Sequence, residues 1–138
     1  MVIDTSALAA IFFHEAEREV FVNAITNAEN KLISAAALVE TGIVLEGRRG
    51  ESVGREFDLF VIRAGLQVVP VDADLADLAR SAWRRFGKGR HRAALNMGDC
   101  FTYALCKLSG EPVLAKGTDF AFTDIRVLSF KNENSIEP

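Results

Sequence analysis

Cysteine is scarce in this chain of 138 residues. Its two copies, Cys100 and Cys106, sit in an apolar stretch at neither the spacing of a metal-binding CxxC nor that of a disulfide framework. Buried, reduced thiols are the expectation. Histidine is as sparse: His14 and His91 have no partner at ligand spacing, so neither is expected to bind metal or act as a base. The chain lacks any apolar run near the roughly 20 residues that span a bilayer, and no basic leader precedes its first apolar residues. A cytoplasmic protein without membrane association is therefore expected. The glycine-rich GxGxxG and GxxxxGK[ST] loops that cradle phosphates are missing, which argues against common nucleotide-binding folds. Excess positive charge is missing too. With 16 Lys and Arg against 19 Asp and Glu the net charge is -3, which speaks against nucleic-acid binding by bulk electrostatics.

What the chain does contain is an ordinary globular composition, 49% hydrophobic and 25% charged. Short apolar runs alternate with amphipathic stretches. "MVID", "KLIS", "LQVVPV", "PVLAK" and "RVLSF" read as five strands. Between them, "TSALAAIFF" reads as a helix capped by Thr5 or Ser6, and "EAEREVFVNAITNA" as a second. Ser34 caps "AAALVETGIVLEGRRG", and "ESVGREFDLFVIRAG" carries an apolar stripe through Val53, Phe57, Phe60, Val61 and Ala64. Asp72 caps a helix with Leu75, Leu78, Ala79, Ala82, Trp83 and Phe86 along one face, which makes Trp83 a core residue. "NMGDCFTYALCKLSG" then ends at Gly110, with Asp99 opening the helix after Gly98 and Tyr103 in the core. Such alternation predicts an α/β fold with a parallel sheet between helices. Residues 1–130 are expected to form one domain and 131–138 a frayed tail.

Four carboxylates do not belong on a solvated helix face. Asp4 ends the first strand, Glu40 lies among Leu38, Val39 and Ile43, Asp99 opens a helix, and Asp119 follows "PVLAK". In parallel sheets the functional crevice lies at the carboxyl ends of the strands, where these acids can meet. Ionised pairs about 5 Å apart at an effective dielectric near 20 cost roughly 3 kcal/mol each, so such a cluster takes up protons or binds a cation. All-oxygen ligands suit Mg²⁺ or Mn²⁺, and the chemistry expected is metal-assisted attack of water on a phosphodiester. A metal also supplies the missing positive charge. The run "WRRFGKGRHR" adds Arg84, Arg85, Lys88, Arg90 and Arg92 as candidate phosphate contacts, and Arg48 with Arg49 forms a second basic pair.

The segments "VIDTSAL", "SAAALVETGIVLEGRRG", "GKGRHRAALNMGDCFTYALC" and "LAKGTDFAFTDI" together resemble the PIN domain, and more narrowly the VapC toxins of bacterial VapBC toxin–antitoxin pairs. The resemblance runs from Val2 to about Phe130 and implies a PIN-like α/β/α sandwich around a mostly parallel five-stranded sheet. It implies a metal-dependent endoribonuclease that cuts tRNA, rRNA or mRNA to 5'-phosphate and 3'-hydroxyl ends. The family's acids fall on Asp4, Glu40, Asp99 and Asp119, as catalytic groups and ligands of Mg²⁺ (or Mn²⁺), and Ser6 and Thr118 fall on supporting hydroxyls. Where Thr118 stands, relatives commonly carry another acid. The resemblance further implies a homodimer and a VapB-type antitoxin that covers the crevice. The alternative is a catalytically silent PIN-like module that binds RNA or protein, against which the intact acids argue.

Overall fold

The computed structural model describes residues 1–130, and the expected tail at 131–138 lies outside the described residues. Strand β1 (Val2–Ile3) leads to helices α1 (Thr5–Phe12) and α2 (Arg18–Asn27), then β2 (Leu32–Ser34) to α3 (Ala35–Arg49) and α4 (Glu51–Arg63). Strand β3 (Gln67–Val69) leads to α5 (Ala73–Phe86) and α6 (Met97–Ser109), and β4 (Val113–Leu114) to a 3₁₀ turn over Asp119–Phe122. The strands pair in parallel in the order β3-β2-β1-β4, with Val2 opposite both Leu32 and Val113. The chain steps outward from β1 to β3 and returns to the far side of β1, so the winding reverses between β1 and β4. Crevices at such reversals collect ligand sites.

Side chains alternate across a strand, so each two-residue strand serves two cores. Ile3, Ile33 and Leu114 face a cluster with Leu8, Ile11, Phe21, Leu45 and Phe57 of α1–α4. Val2 and Val113 face the opposite cluster, with Leu75, Ala79, Phe86, Tyr103 and Leu105 of α5 and α6. The result is helices on both faces of a parallel sheet, as expected.

Several expectations need correction. The fifth strand is reduced to one bridge, Val113 to Val127, made by the Val113 N–H on Arg126 and the Leu128 N–H on Val113. The sheet therefore has four strands, not five. The chain leaves the sheet after Leu114, where the Lys116 N–H turns to Ser6 Oγ at 3.0 Å, so the edge accepts one pair only. Helix α2 starts at Arg18, because Glu15 and Glu17 are turned toward Lys116. Asp4 itself caps α1, in place of Thr5 or Ser6. Helix α6 begins at Met97 with Asn96 as its cap, so Asp99 lies inside the first turn. Trp83 is 45% exposed at the margin of its apolar stripe, with the Arg90 guanidinium 4.6 Å above its ring. Ser34, Asp72 and Gly110 cap their helices as expected, Gly110 in the left-handed conformation that lacks a steric penalty only for glycine.

Candidate functional site

The switch between β1 and β4 carries Asp4 at the end of β1. Asp4 is only 4% exposed, and both of its carboxylate oxygens accept hydrogen bonds. Oδ2 accepts from the Ser6 N–H at 3.1 Å and Ser6 Oγ at 2.7 Å, and Oδ1 accepts from Thr102 Oγ1 at 2.7 Å. A buried carboxylate needs such donors to stay tolerable in a low-dielectric setting. Ser6 Oγ in turn accepts the Lys116 N–H, so one hydroxyl ties the ends of β1 and β4 together.

Helix α6 brings Asp99 to the crevice through a reciprocal cap. Asn96 Oδ1 accepts the Asp99 N–H at 2.9 Å, and Asp99 Oδ2 accepts the Asn96 N–H at 3.0 Å. Helix α3 brings Glu40, whose carboxylate lies against Gly98, so that a Cβ there would overlap it, 2.6 Å from Cδ. Asp119 opens the 3₁₀ turn and is exposed. Thr118, beside it, makes no side-chain capping bond.

Electrostatics links the four acids. Burial pushes the Asp99 carboxyl up to about 6 from the usual 3.8, the backbone bond from Asn96 opposes this, and the charges of Asp4, Asp119 and Glu40 each raise it further. None of the four is in an ion pair among the described residues. Among the described residues no three Asp, Glu, His or Cys side chains are gathered closely enough to grip an ion as they stand. An all-oxygen donor set with mutual repulsion and no countercharge fits a hard divalent cation that keeps much of its water.

The basic run ends α5 with Arg84 and Arg85 and continues with Lys88, Arg90 and Arg92 in the turn between α5 and α6, pinned by a bridge from Gly87 to Leu95. Arg90 stacks on Trp83 and Arg92 on Phe122, and Arg85 lies over Phe86 while pairing with Asp124 at 3.6 Å. Arg84 and Lys88 are exposed, and Lys88 rims a cleft of about 380 Å³ floored by Leu95, Met97 and Phe101. Arg48 and Arg49 stack on Phe13. His91 Nδ1 accepts the Ala93 N–H, a turn-forming role. Cys100 and Cys106 are free and buried, and burial pushes their thiols up to about 11 and about 12.

Residue-by-residue reading missed Thr102, Asn96 and the close approach at Gly98. Thr102 is a polar residue on a buried face one helical turn beyond Asp99, and that anomaly was the available signal.

A four-stranded parallel sheet whose winding reverses between β1 and β4, with acidic residues near the reversal, defines an open α/β fold with its candidate site at the switch point. The model of the PIN domain matches residues 1–126, and the chain belongs to that family. It is 54% identical over 125 residues to "Ribonuclease VapC" of Mycolicibacterium smegmatis, covering 91% of this chain and 97% of the relative. Its fold resembles that of Mycobacterium tuberculosis VapC20, described as a sarcin-ricin loop cleaving toxin, with a TM-score of 0.72 at 22% identity over 91% of this chain and 98% of the other. It also resembles a chain of a toxin–antitoxin complex from Klebsiella pneumoniae, with a TM-score of 0.69 at 17% identity over 95% and 98% of the two chains.

Proposed function

We propose that this chain is the toxin of a toxin–antitoxin pair and acts as a Mg²⁺- or Mn²⁺-dependent endoribonuclease. The observation that carries the reading is the coupling of Asp99 to the charges of Asp4, Glu40 and Asp119, none of which is in an ion pair among the described residues. Relatives named VapC ribonuclease support the same reaction class.

A divalent cation bound by these acids would acidify a water and offset charge on the phosphodiester. Asp4, locked by Ser6 and Thr102, presents fixed oxygens at the floor of the crevice. Glu40 and Asp99 come from α3 and α6, and Asp119, at the start of the 3₁₀ turn, adds its charge to that of Asp99. One of these carboxylates takes the water's proton as its oxygen attacks phosphorus in line. The P–O3' bond breaks, and the departing O3' takes a proton from solvent, leaving a 3'-hydroxyl and a 5'-phosphate. Lys88, Arg84, Arg90 and Arg92 are positioned to hold flanking phosphates, whereas Arg85 is already held by Asp124.

A segment of the antitoxin docks in a groove of about 350 Å³ between α2 and α4, lined by Ile11, Phe12, Val22, Leu59 and Phe60 together with Arg18, Glu56 and Arg63. Exposed Val39, Ile43 and Met97 surround Glu40 and Asp99 and favour a homodimer. No described helix is long and apolar enough to cross a membrane.

The deciding test is calorimetric titration of Mn²⁺ into the wild type and Asp4→Asn, beside cleavage of a mixed RNA pool. Binding and cleavage by the wild type, both lost in a folded Asp4→Asn, are expected. A folded wild type that neither binds Mn²⁺ nor cuts RNA would leave a silent binding module.

A further inference from the structure

The two oxygens of the Asp4 carboxylate are held from different elements. Oδ2 is fixed by Ser6 at the start of α1, whereas Oδ1 is fixed by Thr102 in the middle of α6. Thr102 is 1% exposed, so no water competes for its hydroxyl, and at 2.7 Å the bond is short and charge-assisted. Thr102 also stands one turn from Asp99 on the same helix, and residues so spaced share a helix face. Helix α6 thereby supplies Asp99 to the crevice and clamps Asp4 across from it. Rotation of the Asp4 carboxylate would break bonds on both oxygens at once.

We infer that Thr102 is a positioning residue, whose hydroxyl fixes the orientation of Asp4 and its register with Asp99 so that both present oxygens to one divalent cation. The inference rests on the proposed metal-dependent reading and deepens it. Thr102 does not itself contact metal or RNA; its hydrogen, given to Oδ1, leaves the one unoccupied lone pair of that oxygen aimed rather than free to turn. Groups that orient a ligand in this way typically govern metal affinity by about 10- to 100-fold.

The test is Mn²⁺ titration calorimetry on the metal-free full chain, with Thr102→Val, which keeps the shape and loses the hydroxyl, and Thr102→Ser, which restores it. Circular dichroism in chelator checks folding, and Thr102→Ala replaces Thr102→Val if the latter does not fold. Mn²⁺ affinity weakened about 10- to 100-fold in the hydroxyl-free variant, and within about threefold of wild type in Thr102→Ser, is the expected result. Wild-type affinity in folded Thr102→Val would overturn the inference, as would equal weakening in Thr102→Ser, which would assign the effect to the methyl group. Failure of the wild type itself to bind Mn²⁺ would overturn the metal-dependent reading and this inference together.

Discussion

The Glu40 carboxylate packs directly against the backbone of Gly98, in space that any side chain there would fill. Glycine is thus required by approach and not by backbone conformation, since Gly98 lies in the first turn of α6. Alanine is the better helix former by about 1 kcal/mol, so Gly98→Ala should leave the fold intact. Its methyl must push Glu40 aside. Misplacement of a reacting group by about 1 Å can cost on the order of 100-fold, so RNA cleavage should fall by about that factor with a melting temperature no lower than that of the wild type. Steady-state cleavage and thermal denaturation on the same sample check this, and unchanged activity would remove Glu40 from the reacting set.

Asp99 makes the site pH-sensitive in two opposite directions. Its folded pKa, about 6, is raised above the usual 3.8, so its contribution to stability is fully present below about 3.8 and lost as pH rises through about 6. In chelator, Asp99→Asn should therefore gain stability relative to wild type above pH 6 and lose that advantage near pH 4. Metal binding shows the reverse trend, because a cation must displace the proton. Mn²⁺ affinity should decline below pH 6, approaching tenfold per pH unit. Denaturation and calorimetry at stepped pH test both, and a pH-independent difference between the two proteins would refute the raised Asp99 pKa.

Tyr103 donates to Asp124 Oδ1 at 2.5 Å, and Lys107 reaches the other oxygen at 3.1 Å. This lock fastens α6 to the chain just after the 3₁₀ turn that bears Asp119. The ion pairs are half-exposed and add little. The buried phenol is the stronger element, and hydrogen bonds to charged groups contribute about 1.5 kcal/mol or more. Tyr103→Phe should lower the melting temperature by about 5 °C. No change on thermal melting would show that the lock is not formed in solution.

Much of this was visible in the chain because it is written locally. Asp4, Glu40 and Asp99 stand out as acids in apolar surroundings, and Ser34, Asp72 and Gly110 are capping residues whose effect extends only a turn. The alternation of strand and helix requires a parallel sheet, and the family resemblance agreed with it. What escaped is set by contacts between distant segments. Thr102 meets Asp4 across 98 positions, a pairing no local pattern encodes. The fifth strand fails because the route of Lys116 toward Ser6 shortens the edge it would join, not because "RVLSF" is a poor strand sequence. Trp83 has helical spacing with core residues yet stands at the stripe's margin, where neighbouring elements alone decide exposure.

The basic turn separates into residues that are free and one that is occupied. Arg85 is bound to Tyr103 and Asp124, whereas Lys88 is exposed on the rim of the cleft beside Asn96 and Met97. Each phosphate neutralised on a single strand contributes about -0.7 to the slope of log affinity against log salt. Lys88→Ala should therefore weaken RNA binding and flatten that slope by about 0.7, while Arg85→Ala should leave the slope unchanged. Binding is measured in the Asp99→Asn background, which keeps the RNA intact, across a series of salt concentrations. A flattened slope in Arg85→Ala would mean that Arg85 leaves Asp124 for phosphate when RNA arrives. An unchanged slope in Lys88→Ala would place the RNA path on another face, the Arg48 and Arg49 pair being next to test.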